Sequence, residues 1–349
     1  MSETSMTELL GVFPSLEPLG GVQASGREAW QGIVNQIGEN RACFFGYRAG
    51  ASKTRAALAA LAQRRRASIL LVWHLRLLRL APLVADTTAR VVVFLHGIEA
   101  WRAQDSMTRW AMAKVNLFLS NSDHTWERFV AFNPAFRDAA HATVHLGAGE
   151  RASHNPPAPT PVALMLGRML RSEDYKGHRQ MIEAWPRVLE RVPGAELWIA
   201  GDGDLRETLE QLARGYTGVR FFGQISEEQK QDLLARCRCF AMPSRGEGFG
   251  LVYLEAMRMG RPCLVGDRDG GREVVNPPEA GLAVDPDDPM QLAAAIARLL
   301  TPGPEWDRWS QQARRRYEGG FTAQHFRQRL NEALWNTPPG PSILTRARA

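Results

Sequence analysis

Strand-length apolar runs alternate with helix-length amphipathic segments along nearly the whole chain, and this alternation limits the fold more than any other feature. Parallel strands must be joined by long crossovers, usually helices, so the pattern predicts parallel α/β units. Strands are expected over 9–13, 43–47, 68–73, 91–95, 117–120 and 143–146, with helices over 23–37 and 54–65. The run Asn155-Pro156-Pro157-Ala158-Pro159-Thr160-Pro161 then carries four prolines in seven residues. Proline lacks the amide donor and disfavours a helix before it, so this reads as a linker. Beyond it the alternation restarts. Strands are expected over 162–166, 196–200, 219–222, 240–242, 263–265 and 281–284. Helices are expected over 178–191, 204–214, 226–236, 251–259 and 290–300. Ser226, with Gln229 three residues on, has capping-box spacing. The predicted domains are 1–155 and 156–320, with a terminal helix near 321–337 returning to the first.

A chain of 349 residues suits two such domains. Its 44% hydrophobic and 23% charged residues are a globular balance. The net charge of +6 favours an anionic partner: nucleotide phosphates, an acidic membrane face or nucleic acid. Without a zinc finger, basic zipper or RNA-binding aromatic motif, nucleic acid ranks last. Cys237 and Cys239 have no second pair to complete a zinc site. The four cysteines read as thiols on or beside core strands in a reducing compartment. The polar start lacks a signal peptide, and the longest apolar stretch, 69–84, holds His74, Arg76, Arg79 and Pro82. A cytoplasmic protein is expected.

Chemistry concentrates after strand ends, where doubly wound domains bind ligands. After the strand 240–242 comes Arg245-Gly246-Glu247-Gly248-Phe249-Gly250, and a helix starts at Leu251. The glycines allow backbone to approach a ligand, and the helix start offers unpaired amides to an anion such as pyrophosphate. Glu247 and Glu255 lie close enough along the chain to face one ligand, and carboxylates bind sugar and ribose hydroxyls well. After the strand 162–166, Gly167-Arg168 and Tyr175-Lys176-Gly177-His178 put an arginine and a lysine beside a glycine, a cationic clamp for phosphate. Lys176 is one of only four lysines in the chain. His178 reads as a helix starter.

These residues resemble the family 4 glycosyltransferases, most closely over 166–286. The resemblance implies the GT-B fold, an α/β architecture of two doubly wound Rossmann-like domains facing a central cleft. It implies that Glu247 lies by the donor sugar, that Glu255 binds the nucleotide ribose, and that Arg168 and Lys176 stabilise the departing diphosphate. Gly248, Phe249, Gly250 and Leu251 would complete that donor site. Gly20-Gly21 resembles the family's first glycine-rich loop, and Gly201-Asp202-Gly203-Asp204 its loop near the nucleobase, with Ile225 supplying backbone contacts. The family commonly places a histidine near the donor sugar where His96 stands, and Glu99 would be an acceptor-side acid. The stretch His145-Leu146-Gly147-Ala148-Gly149 departs from the family's Asn-Gly pair.

No Asp-x-Asp reads as a strand-end metal motif, and Asp285-Pro286-Asp287-Asp288 reads as a helix cap, so no cofactor or essential metal is expected. The co-substrate would be a nucleotide-diphosphate sugar, GDP-mannose or UDP-glucose. The acceptor would be a glycan or a polyprenyl-linked oligosaccharide in exopolysaccharide or lipopolysaccharide assembly. Retention would come from front-face attack or a covalent intermediate; no residue near Glu247 is placed as a nucleophile. The basic, apolar segment 54–84 reads either as a peripheral contact with the inner face of the membrane or as a core strand with amphipathic flanks. A nucleotide-sugar 2-epimerase and a non-catalytic sugar-nucleotide-binding subunit are the competing functions.

Overall fold

The computed structural model describes residues 7–17, 20–47, 53–62, 64–152 and 156–338. The expected fraying of 342–349 lies outside them, as does Asn155 at the head of the proline run. The described residues fall into two compact units. One runs to Ala148 and resumes at Ala323; the other is Gly149–Thr322. The boundary expected at 155/156 thus lies inside the second unit. Ala158 N donates to Arg236 O, and Arg238 reaches the carbonyls of Ala158 and Pro159, so the proline run lies along that unit.

In the first unit β1 (Thr7–Pro14), β2 (Ala42–Tyr47), β3 (Ala67–Val72), β4 (Arg90–Leu95), β5 (Leu117–Ser120) and β6 (His141–Thr143) form a parallel sheet in the order β2-β1-β3-β4-β5-β6. β6 sits two residues earlier than expected. His141 stacks on Trp126 at 4.0 Å and its Nε2 meets Ser120 Oγ at 2.8 Å, contacts that hold this edge in register with β5. The segment 54–84 is no continuous surface helix: it contains β3, whose Leu70, Leu71 and Val72 are buried. The helix Ala323–Trp335 packs on the helix Gly21–Ile37, with Arg327 ion-paired to Glu28 at 2.6 Å and Phe326 buried near Trp73.

In the second unit β7 (Val162–Leu166), β8 (Glu196–Ala200), β9 (Val219–Gly223), β10 (Cys239–Met242), β11 (Cys263–Gly266) and β12 (Gly281–Val284) run parallel in the order β12-β11-β10-β7-β8-β9. Every residue of β7 is buried, as a strand covered on both faces requires. The helix His178–Arg191 supplies one cover through Met181, Ile182, Trp185 and Val188, a stripe at helical spacing. The Ser226–Gln229 capping box forms, and Asp288 caps the helix Pro289–Leu300 by accepting from the Met290 and Gln291 amides. Cys237, Cys239 and Cys263 are buried free thiols, and Cys43 is a half-buried one.

Strand order is what positions the candidate site. β7 sits at the centre, the chain moving out to β9 on one side and restarting at β10 on the other. The loops after β7 and β10 leave neighbouring strands in opposite directions, which opens a crevice at their carboxyl ends.

Candidate active site

That crevice joins two segments about eighty residues apart in sequence. After β7 the chain passes Gly167 and Arg168 into a 3-10 turn, Arg171–Lys176. After β10 it passes Pro243 and Ser244 into the loop 245–250. Arg245 N donates to Tyr175 O at 2.9 Å and ties the two loops together. Lys176 Nζ lies 2.6 Å from Glu173 Oε2, and Arg168 pairs with the other oxygen of the same carboxylate. Glu173, which the sequence reading did not single out, therefore aligns both cations. Its signal was its place three residues before Lys176.

Glu247 is half-buried beside this cluster. Burial raises its carboxyl above the ordinary range; Lys176 and Arg168 oppose the rise and Glu173 adds to it. Its carbonyl accepts from Gly270 N at 2.9 Å, which ties the loop to the turn after β11. That turn carries a second residue missed in the sequence, Asp269. It is buried, accepts from Gly271 N at 2.8 Å, and is held well above the usual carboxylate range by burial and by Glu247. Gly248, Phe249 and Gly250 are buried. Gly250, at φ 86°, turns the chain into the helix Leu251–Arg258, and its αL conformation suits glycine. Leu251 begins that helix, whose first turn has amides without intrahelical partners.

Glu255 lies inside the helix Leu251–Arg258. Its Oε1 accepts from Lys230 Nζ at 2.8 Å, and its Oε2 is buried without a hydrogen-bond partner. Burial raises this carboxyl too, with Lys230 opposing. The two glutamates thus have separate cationic neighbours: Lys176 and Arg168 for Glu247, Lys230 and Arg258 for Glu255. Ile225 precedes the cap of the helix Glu227–Arg236 that carries Lys230. Gly201, after β8, presses against the loop after β7: a Cβ there would lie 1.9 Å from Gly167 O.

The first unit holds the remaining candidates. His96 follows β4, buried, with Nε2 2.6 Å from Trp73 O and its amide donating to Glu99 Oε1 at 2.6 Å. One oxygen of Glu99 is therefore committed to its own turn. Burial, with His74 adding, pushes His96 down to about 4, against the pull of Glu99. Gly20 and Gly21 are exposed at the start of the helix Gly21–Ile37, and Trp73 Nε1 donates to Val22 O at 3.1 Å in that first turn. Among the described residues no three His, Cys, Asp or Glu side chains gather as a metal site.

These burials have a pH consequence. His178, buried in the second unit, is also pushed down to about 4, by burial and by Lys176. In the unfolded chain both histidines take up a proton below about pH 6.5, whereas in the fold they resist it until about 4. Stability is therefore complete above the unfolded value and falls as the pH drops from about 6.5 towards 4. At pH 5 each contributes a loss of roughly 2 kcal/mol. Denaturant unfolding at pH 7 and 5 checks this: His178→Gln should flatten the dependence, and an unchanged slope would refute the assignment.

Residues 160–302 match the family described as Glycosyl transferases group 1. A GDP-mannose-dependent monoacylated alpha-(1-6)-phosphatidylinositol monomannoside mannosyltransferase of Corynebacterium glutamicum is 35% identical over 149 residues, 40% of this chain and 38% of that protein. The lipopolysaccharide core biosynthesis glycosyltransferase LpsE of Rhizobium meliloti is 31% identical over 206 residues, 58% of this chain and 57% of that one. The matched segments thus span between about two fifths and three fifths of these relatives. Among solved structures, Anabaena HepE in complex with UDP and glucose superposes with a TM-score of 0.73 at 17% identity, over 95% of this chain and 100% of that chain. The apo lipopolysaccharide outer core galactosyltransferase WaaB gives 0.71 at 15% identity, over 94% and 99%. The expected fold holds: the two parallel six-stranded sheets match those of GT-B structures.

Proposed function

We propose, from the match of residues 160–302 to the group 1 glycosyl transferases, that this chain is a retaining glycosyltransferase using a nucleotide-diphosphate hexose. The observation that carries the proposal is the cluster at the β7/β10 crevice, where Arg168, Lys176 and Glu247 converge next to a glycine-rich helix start. The two cations and the helix amides would take the diphosphate. Glu247 would accept hydrogen bonds from the sugar, and its charge would favour positive charge developing at C1. Glu255, with acceptor capacity left on Oε2, suits the ribose, and Gly201 and Ile225 would border the base.

The acceptor hydroxyl oxygen bonds to C1 on the face from which the C1–O(phosphate) bond breaks. Its proton passes to the departing phosphate oxygen, and a nucleoside diphosphate leaves. Arg168 and Lys176 would offset the charge gathering on that leaving group, so transfer proceeds with no essential metal. Gly20, Gly21, His96 and Glu99 would serve the sugar and acceptor from the first unit, His96 as a neutral imidazole. GDP-mannose or UDP-glucose is the proposed donor, and the likeness to the GDP-mannose-dependent C. glutamicum mannosyltransferase supports the first. A glycan or polyprenyl-linked acceptor, in surface polysaccharide synthesis at the cytoplasmic face, fits the LpsE likeness.

Thermal shifts with UDP, GDP and ADP test the donor. The cognate nucleotide at a hundredfold excess over Kd should stabilise the protein by about 2.7 kcal/mol. Lys176→Ala should weaken that binding by about tenfold or more, since a charge-assisted contact to phosphate is lost. No shift with any nucleotide, or epimerised free sugar formed without acceptor, would overturn the reading.

A further inference from the structure

We propose that Glu173 is a built-in competitor of the donor: its carboxylate bridges Arg168 and Lys176, and it must turn away before those cations can hold a diphosphate. This role rests on the donor reading above and adds to it the group that the donor displaces. Each oxygen of the carboxylate is committed, Oε1 to Arg168 and Oε2 to Lys176. Lys176 Nζ lies 2.6 Å from Oε2, and the two side chains are only 12% and 11% exposed, so water screens this pair poorly. Arg168 is 59% exposed, which leaves its outer side open to an incoming anion. A carboxylate bridging two cations offers them the charge and the paired acceptor oxygens that a phosphate would bring.

The cations cannot serve every anion at once. Glu247 already feels both of them, and it feels Glu173 as a like charge. A diphosphate would add further negative charge to the same partly buried cluster, where like charges repel more strongly than in water. Glu173, in direct contact with both cations, is the group that a phosphate must replace. Its turn is built to stay while the side chain leaves. The Glu173 amide donates to Leu170 O at 2.8 Å, and the Arg171 amide donates to Asp204 Oδ1 at 2.8 Å. Tyr175 O accepts from Arg245 N at 2.9 Å. With the backbone anchored at these points, rotation about the side-chain bonds of Glu173 frees the cations without refolding the turn.

The exchange runs in both directions. The nucleoside diphosphate left after transfer is held by the same two cations, and the return of Glu173 to them helps to expel it. Glu173 thus lowers affinity for donor and product alike and speeds release.

Titration calorimetry and thermal unfolding of the full chain with inorganic pyrophosphate, UDP and GDP test it. Glu173→Gln keeps the size of the side chain and removes its charge. Without ligand its Tm should fall, because two cations lose their partner. Its affinity for pyrophosphate and for the cognate nucleoside diphosphate should nevertheless rise about tenfold or more. Glu173→Ala should move both quantities in the same directions, so the outcome does not hang on one variant. In steady-state kinetics the donor KM of Glu173→Gln should fall and inhibition by the nucleoside diphosphate should tighten. A residue that only aligns the cations predicts that stability and affinity fall together. Binding that is unchanged or weaker in both variants would overturn the proposal. The donor reading fails separately: pyrophosphate bound more tightly by both variants, with no nucleotide bound by any form, would support the competitor role and remove the nucleotide.

Discussion

Glu247→Gln should lower the rate of glycosyl transfer by about 10²–10³-fold while leaving nucleotide binding within a few-fold of the native protein. Glutamine keeps the size and one carbonyl acceptor but removes the negative charge. The side chain sits where burial and Glu173 raise its carboxyl and Lys176 and Arg168 favour its ionised form. The two cations, which hold the diphosphate in the proposed reading, keep Glu173 as their partner in the variant. Ground-state affinity for the nucleotide should thus survive, while stabilisation of charge at C1 is lost. Steady-state kinetics with donor and acceptor, together with thermal shifts with the free nucleotide, separate the two effects. A variant with near-native kcat would remove Glu247 from the mechanism, and one that neither binds nor folds would place it in the framework.

Gly201→Ala should cost about 3 kcal/mol or more and lower Tm by roughly 10 °C. At φ 136° an L-residue is strained before it meets any neighbour, and the new Cβ would overlap Gly167 O. Both backbones are held from other directions. Gly201 N donates to Gly223 O at 2.8 Å, and Gly167 N donates to Ala200 O at 3.0 Å. Relief would therefore displace the start of the loop that carries Arg168. Protein that still folds should bind nucleotide more weakly than the native chain. Calorimetry of the variant with and without nucleotide reads both consequences; native Tm and native affinity would contradict this account.

The parts legible in the sequence were those whose cause is local. Residues at helical spacing, such as Met181, Ile182, Trp185 and Val188, announce a helix and its buried face because 3.6 residues complete a turn. Ser226 with Gln229, and Asp288 before Pro289, announce helix starts because a side chain reaches an amide two or three residues on. The glycine-rich loop before Leu251 announces close backbone approach for the same short-range reason. The β6 offset arose where local preference was weak and a distant pair, His141 with Trp126, decided the register.

The sequence by itself determined the α/β class, the positions of most strands and helices, and the residue types able to hold a diphosphate and a sugar. The tertiary structure alone decided which of them meet. Only the order β12-β11-β10-β7-β8-β9 sets the loop after β7 beside the loop after β10, with Glu173 between two cations and Asp269 behind Glu247. It also gave Glu255 a different partner, Lys230, although the two glutamates lie eight residues apart. The physical reason is that propensity, capping and periodicity act over a few residues, whereas strand order and burial depend on how distant segments share one core. The environment that sets a carboxylate's charge is assembled only when that core closes.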